Sequence, residues 1–293
     1  MALFDFKQRS KIVVSNLPYL RGVLSPLDTN VPWSELARAN YASTRDFARA
    51  VRAAFLPIYA PFRGVPHLPY ETPDDNAPIN DNQAWYFLNG ICTDRPVLNL
   101  NGKALANLFN RRINLMHNPS DGIVLDLLEC IIGRTMQIVS DLDSSVAYIL
   151  EDALRKNDKV VLISHSQGGI ITTGALYKLA GRLPEAEKPL LKKLEVYTFS
   201  SAATELDLPE VYAEHFFHTQ DYVSLIGIAA STWKFSGRLF WCPGSGHLLN
   251  NHYLNNLTAN RFRSLDGEPS RLLDYMRHLQ PVADTDEAVA IEA

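Results

Sequence analysis

Ser164-His165-Ser166-Gln167-Gly168-Gly169 is the stretch that decides the fold. It follows the apolar run Val160-Val161-Leu162-Ile163 and precedes Ile170-Ile171-Thr172-Thr173-Gly174-Ala175-Leu176. A buried strand therefore feeds a serine flanked by small residues, and a helix follows. That context turns a short pattern into a nucleophile elbow. The turn is sharp, so only small residues fit two places before and after the serine. Ser164 and Gly168 meet that need, although Gly is more usual at the first place. Because the helix begins at the serine, backbone N–H groups and the positive end of the helix dipole face any developing oxyanion. The pattern predicts Ser166 as a nucleophile. A serine at such a junction can also be a plain N-cap, but strand, small neighbours and helix together favour the nucleophile. His165, next to it on a tight turn, points elsewhere and reads as a packing or hydrogen-bonding residue.

Outward from this motif, the chain has two textures. Up to about Asp81 it reads as helices and loops. From Ala84 it alternates short apolar strands with helices, which signals a parallel sheet covered on both faces. The expected organisation is an N-terminal helical extension over 1–81, packed on or roofing a main domain over 82–281, and a loose tail over 282–293. The polar, Pro-containing stretch Glu71 to Asp81 reads as a linker or surface strap. In the first region a helix is expected from Trp33-Ser34-Glu35 after Pro32. A second is capped by Ser43, carries Phe47, Val51, Ala54 and Phe55 at helical spacing, and is ended by Pro57 and Pro61. These helices either pack on the sheet domain or act as a lid.

Six strands are expected in the second region: Ala84–Asn89, Ile113–His117, Lys159–Ser164, Leu194–Ser200, His215–His218 and Arg238–Cys242. Helices are expected near Lys103–Phe109, Val124–Ile132, Ser144–Arg155, Ile170–Leu179 and Leu248–Leu257. The pattern is a doubly wound, mostly parallel sheet, in which ligands bind at the carboxyl ends of the strands. Partners for Ser166 should therefore lie just after strands. A serine hydroxyl needs a base, and the base needs a carboxylate to hold its tautomer.

After the fifth strand, Asp221 emerges where a carboxylate would enter the crevice; its plainer role is a turn or N-cap aspartate. Glu205 and Asp207 are the reserve acids. After the sixth strand, Pro243-Gly244-Ser245-Gly246-His247 places a histidine on a flexible loop before a helix, and His247 is the expected base. His252 is the alternative. Two N–H donors are needed for an oxyanion. Gln167 supplies one. The loop Asn89-Gly90-Ile91-Cys92 supplies the other, from Ile91 or else Cys92, with Gly90 letting the backbone approach closely.

These residues resemble the α/β-hydrolase superfamily, and within it the lipase-like serine esterases. The joint pattern Asn89-Gly90-Ile91, Asn118-Pro119, His165-Ser166-Gln167-Gly168 and Gly246-His247 looks like a group of lipase-like proteins in fungi and bacteria. The resemblance covers roughly Ala84 to Leu257. It implies Ser166, Asp221 and His247 as the triad, and Ile91 and Gln167 as oxyanion donors. The large cap that many relatives insert after the strand ending near Ser200 is missing. The N-terminal segment is then the spare material for a roof.

Composition bounds the rest. The 293 residues are 46% hydrophobic, enough for one large α/β domain. A formal charge of −4 without long runs of one sign argues against nucleic acid or an anionic membrane as the main partner. Cys92, Cys130 and Cys242 are sparse and odd in number, which suits neither a disulfide framework nor a zinc site and points to a reducing, cytoplasmic setting. No secretory signal or membrane span is legible. The expectation is a serine hydrolase acting on a small-molecule ester or acyl substrate, with no metal or organic cofactor. The alternatives are a non-hydrolytic enzyme on the same scaffold and a binding protein with a silent site.

Overall fold

The computed structural model describes residues 11–55, 68–90, 93–118 and 136–277. The apolar runs form one eight-stranded sheet. Its strands are β1 (Tyr70–Glu71), β2 (Gln83–Leu88), β3 (Ile113–Met116), β4 (Lys159–His165), β5 (Leu194–Phe199), β6 (Tyr212–His218), β7 (Arg238–Cys242) and β8 (Arg263–Ser264). They lie in the order β1-β3-β2-β4-β5-β6-β7-β8. Strands β2 to β7 pair in parallel, and only the short edge strands β1 and β8 run antiparallel. With helices on both faces this is a doubly wound, mostly parallel sheet. All six expected strands are present, and β6 starts earlier, at Tyr212.

The alternation of side chains along β4 explains the two-faced core. Val160 and Leu162 face a cluster with Leu150 and Leu154 of helix α3 (Met136–Lys156) and Ile171, Leu176 and Leu179 of α4 (Gly168–Arg182). Val161 and Ile163 face the other side, with Leu98, Leu105 and Phe109 of α2 (Arg95–Phe109), Tyr253, and Leu272 of α6 (Arg271–Arg277). Each fully buried Leu, Ile or Val stabilises the fold by about 1.5–3 kcal/mol. A continuous apolar run fits a strand covered on both faces.

Helix α2 starts well before Lys103, because Asp94 caps it by accepting from Arg95 N at 2.7 Å and Pro96 fits its first turn. Within the N-terminal region, α1 (Thr44–Phe55) is capped by Ser43 Oγ, which accepts from Asp46 N at 3.1 Å. Phe47 packs inward beside Tyr41, Ala50 and Leu100, whereas Val51 is exposed.

Two expectations are corrected. No α-helix begins at Trp33. Trp33 has φ +58°, and the segment runs as turns into a 3-10 turn at Arg38–Asn40. Side chains occupy the carbonyls a helix would need: Asn40 Nδ2 donates to Ser34 O and Tyr41 OH to Glu35 O. The stretch after Leu248 is a π-helix, Leu249–Leu254, which passes into a short α turn at Asn255–Thr258. The strap 71–81 is also tied down more firmly than a linker: Glu71 pairs in β1, Lys103 bridges Asp74 at 2.6 Å, and Arg111 bridges Asp81 at 2.8 Å.

The helix expected at Val124–Ile132, Pro57, Pro61, Cys92, Cys130 and the 282–293 tail lie outside the described residues, as do the side chains of Ala54 and Phe55. Among the described residues, no helix is long and apolar enough to cross a membrane.

The chain order sets where a site can form. From β2 the chain moves to β3 on one side, then crosses back to β4 on the other. The crevice at such a reversal opens at the carboxyl ends of β2 and β4. Asn89-Gly90 and Ser166 stand at those two ends.

Candidate active site

Ser166 sits in the turn between β4 and α4 with φ +59°. A non-glycine residue adopts that conformation only when its surroundings hold it there. Ser166 N donates to Phe199 O at 3.0 Å, and Ser166 O accepts from Gly169 N at 3.0 Å and Ala202 N at 3.1 Å. The glycines around it are a steric requirement. A Cβ on Gly90 would meet the Ser166 Cβ, its Oγ at 2.9 Å and His165 O at 3.0 Å. One on Gly168 would lie 2.7 Å from Leu88 O and 2.8 Å from Asn89 O.

His247 reaches this serine. Its Nε2 lies 2.9 Å from Ser166 Oγ, and its Nδ1 lies 2.9 Å from Asp221 Oδ2 and 2.8 Å from Ser200 Oγ. Asp221 is fully buried and divides its work between two oxygens. Oδ1 accepts from Val223 N at 3.1 Å, capping α5 (Tyr222–Ile226). Oδ2 faces His247 and accepts from Ser200 Oγ and, at 2.7 Å, from Tyr253 OH. Asp221 therefore caps α5 with one oxygen and faces His247 with the other. Burial alone would raise this carboxyl. The adjacent His247 imidazole and the hydrogen bonds from His247, Ser200 and Tyr253 outweigh burial and hold it well below the usual carboxylate range. A carboxylate facing Nδ1 keeps the proton there, which leaves Nε2 to accept from the serine hydroxyl.

The backbone of His247 is gripped from both sides. His247 N donates to Val23 O at 2.8 Å, and His247 O accepts from His165 Nε2 at 2.7 Å. His165 thus packs its ring against that of His247, 4.7 Å between centroids, and supports it. Desolvation and the neighbouring His247 imidazole push the His165 pKa down, so it stays neutral.

His252, the alternative base, is used elsewhere. Its Nδ1 accepts from Leu248 N at 2.9 Å and its Nε2 donates to Pro26 O at 2.9 Å. Burial pushes its pKa down to about 4. Gly246, at φ +96°, passes so close that a Cβ would lie 2.5 Å from the His252 ring. Glu205 and Asp207 are exposed, with Glu205 O accepting from Thr173 Oγ1 and Asp207 N donating to Tyr177 OH.

Gln167 follows the serine at the start of α4, and its side-chain Oε1 accepts from Asn118 Nδ2 at 2.7 Å. Asn118 is itself locked to Asn89: Asn118 N donates to Asn89 Oδ1 at 2.8 Å, and Asn89 Nδ2 to Asn118 O at 3.0 Å. All three are buried, so the network ties the ends of β2 and β3 to the turn after β4. Ile91 lies outside the described residues, as does Cys92. The sequence assigns no site role to Ser200, Tyr253 or Asn118, and it marks His165 only as a packing or hydrogen-bonding residue. For Asn118 the Asn-Pro step after a strand was the available signal; Ser200 and Tyr253 carry no spacing signal. Among the described residues no group of three or more His, Cys, Asp and Glu could hold a metal ion.

The arrangement sets Ser166 Oγ within hydrogen-bond reach of an imidazole whose other nitrogen faces a buried carboxylate. No family model and no curated protein matches the chain. Among solved structures it is similar to the HSL-homolog EstE7 from a metagenome library, at 12% identity and a TM-score of 0.42, over 72% of this chain and 86% of that one.

Proposed function

We propose that the protein is a serine hydrolase that cleaves an ester or related acyl bond through an acyl-enzyme. One observation carries this reading: the His247 imidazole bridges Ser166 Oγ and Asp221 Oδ2, at 2.9 Å on each side. His247 Nε2 takes the Ser166 proton as Oγ attacks the acyl carbon. The imidazolium, facing the Asp221 carboxylate, then gives that proton to the leaving alcohol. Water repeats the sequence on the acyl-enzyme, giving its proton to His247 and releasing the acid and free Ser166. The Gln167 backbone N–H, at the start of α4, is assigned to the oxyanion, and Ile91 to the second donor. The reaction as written draws its nucleophile, base and acid from these side chains and uses no cofactor. The substrate is a small-molecule ester or related acyl compound.

A fluorophosphonate probe followed by site mapping tests the reading. The wild type is expected to be labelled at Ser166, and Ser166→Ala to abolish labelling and lower kcat on a p-nitrophenyl ester by about 10⁴-fold or more. Absence of both labelling and ester turnover in the wild type overturns it. Turnover without incorporation of solvent oxygen reassigns the site to acyl transfer or another non-hydrolytic step.

A further inference from the structure

Glu35 is a buried carboxylate for which that reaction has no use. It belongs to the N-terminal segment, yet its partners lie at the far end of the chain. Oε1 accepts from Asn250 N at 2.7 Å and from Asn101 Nδ2 at 2.8 Å, and Oε2 accepts from Asn251 N at 3.0 Å. Asn250 and Asn251 open the π-helix Leu249–Leu254, whose own N-cap residue, Leu248, offers no side-chain acceptor. The first N–H groups of a helix need acceptors. Here a carboxyl group from a remote segment supplies them in bidentate form, one oxygen to each N–H.

The helix so held touches the Ser166–His247–Asp221 relay at both ends. His247 lies just ahead of it. Tyr253, within it, donates to Asp221 Oδ2 at 2.7 Å. The same N-terminal segment adds further bonds to this stretch: Val23 O accepts from His247 N at 2.8 Å, Ser25 O from Ser245 Oγ at 3.0 Å and Pro26 O from His252 Nε2 at 2.9 Å and Asn251 Nδ2 at 3.3 Å. Trp33 O, from the turn that replaces the expected helix, accepts from Asn250 Nδ2 at 2.8 Å. Residues 23–35 therefore form a clamp across residues 245–252. Bonds of this kind do not suit a segment that swings open during turnover, because opening would release the imidazole.

We propose that Glu35 is a positioning residue: by capping the π-helix it fixes His247 against Ser166 and Tyr253 against Asp221. The proposal rests on the hydrolase reading for its kinetic consequence, but not for its structural one. The test uses full-length protein, with Glu35→Gln and Glu35→Asp. Leu150→Ala, in the α3–α4 core, serves as a destabilised control. The Nδ1 and Nε2 resonances of His247 are identified in isotope-labelled wild type by their absence in His247→Gln, and followed against pH. In Glu35→Gln these resonances and their titration are expected to shift. The fluorophosphonate labelling rate and kcat should fall by about 10- to 100-fold with KM little changed, while Leu150→Ala moves none of these. Where Glu35→Gln fails to fold, Glu35→Asp, which keeps the carboxyl group but withdraws it by one methylene, must move the same resonances.

A folded Glu35 variant with wild-type His247 resonances overturns the proposal, whether or not labelling falls. A wild type that is neither labelled nor active, with resonances that nonetheless move in Glu35→Gln, overturns the hydrolase reading and leaves the clamp standing.

Discussion

At the scale of single residues, the site is built from unusual backbone held by ordinary bonds. Ser166 and Ser200 both have positive φ, at +59° and +50°, at the ends of the adjacent strands β4 and β5. Each presents its hydroxyl to the same imidazole. That geometry leaves no room beside Ser166, and the absent Cβ of Gly90 is what admits the serine. Gly90→Ala is expected to push the serine or the Asn89–Asn118 pairing aside. Fluorophosphonate labelling should slow by about 100-fold and stability should drop by about 1–3 kcal/mol. Labelling kinetics and a denaturant melt check both.

Ser166, Asp221 and His247 were legible because each follows a strand that the hydrophobic pattern already located. Glu35 was not. Its sequence neighbours suggest a helix start, and nothing local marks a carboxylate whose partners are Asn250 and Asn251. Tyr253 was hidden for a related reason: a tyrosine in an apolar run looks like core, and it is core, apart from one hydroxyl aimed at Asp221.

At the scale of elements, the strands were read well because runs such as Val160–Ile163 admit few alternatives between turn signals. The two-residue edge strands β1 and β8 are too short to leave a pattern. The π-helix looks like an ordinary helix in sequence, since its wider turn changes hydrogen bonding rather than composition. Helices α3 and α4 pack together on the face opposite Tyr253. Leu150→Ala in that seam should cost about 2–5 kcal/mol in stability while leaving the labelling rate of the folded protein unchanged. A calorimetric melt paired with labelling below the transition separates the two effects.

At the scale of the whole molecule, buried ionisable groups give stability a pH dependence of predictable sign. Burial pushes His215 and His252 down to about 4. The unfolded chain protonates its histidines from about pH 6.5, so it binds more protons than the native state between those values. The stability these two groups contribute is complete above about pH 6.5 and is lost as pH falls toward 4, by about 3 kcal/mol each. Asp143 has the opposite sign. Burial raises it to about 7, against the opposing pull of Lys178, so its native charge is disfavoured as pH rises from about 4. The melting temperature is expected to fall from pH 7 to pH 5. Asp143→Asn should raise it near neutrality by an amount worth about 2 kcal/mol and make the acid loss steeper. Melting curves across that range decide both.

The clamp of residues 23–35 on residues 245–252 also bears on how the molecule comes into being. A chain leaving the ribosome exposes Ser166 and the whole of β4 long before the imidazole loop has been translated. The N-terminal acceptors at Val23, Pro26 and Glu35 must wait, unpaired, for donors made more than two hundred residues later. Contacts of such separation form late and slow folding. On the proposed hydrolase reading, the nascent protein therefore carries an inert serine until residues 245–252 have been synthesised and have docked on residues 23–35.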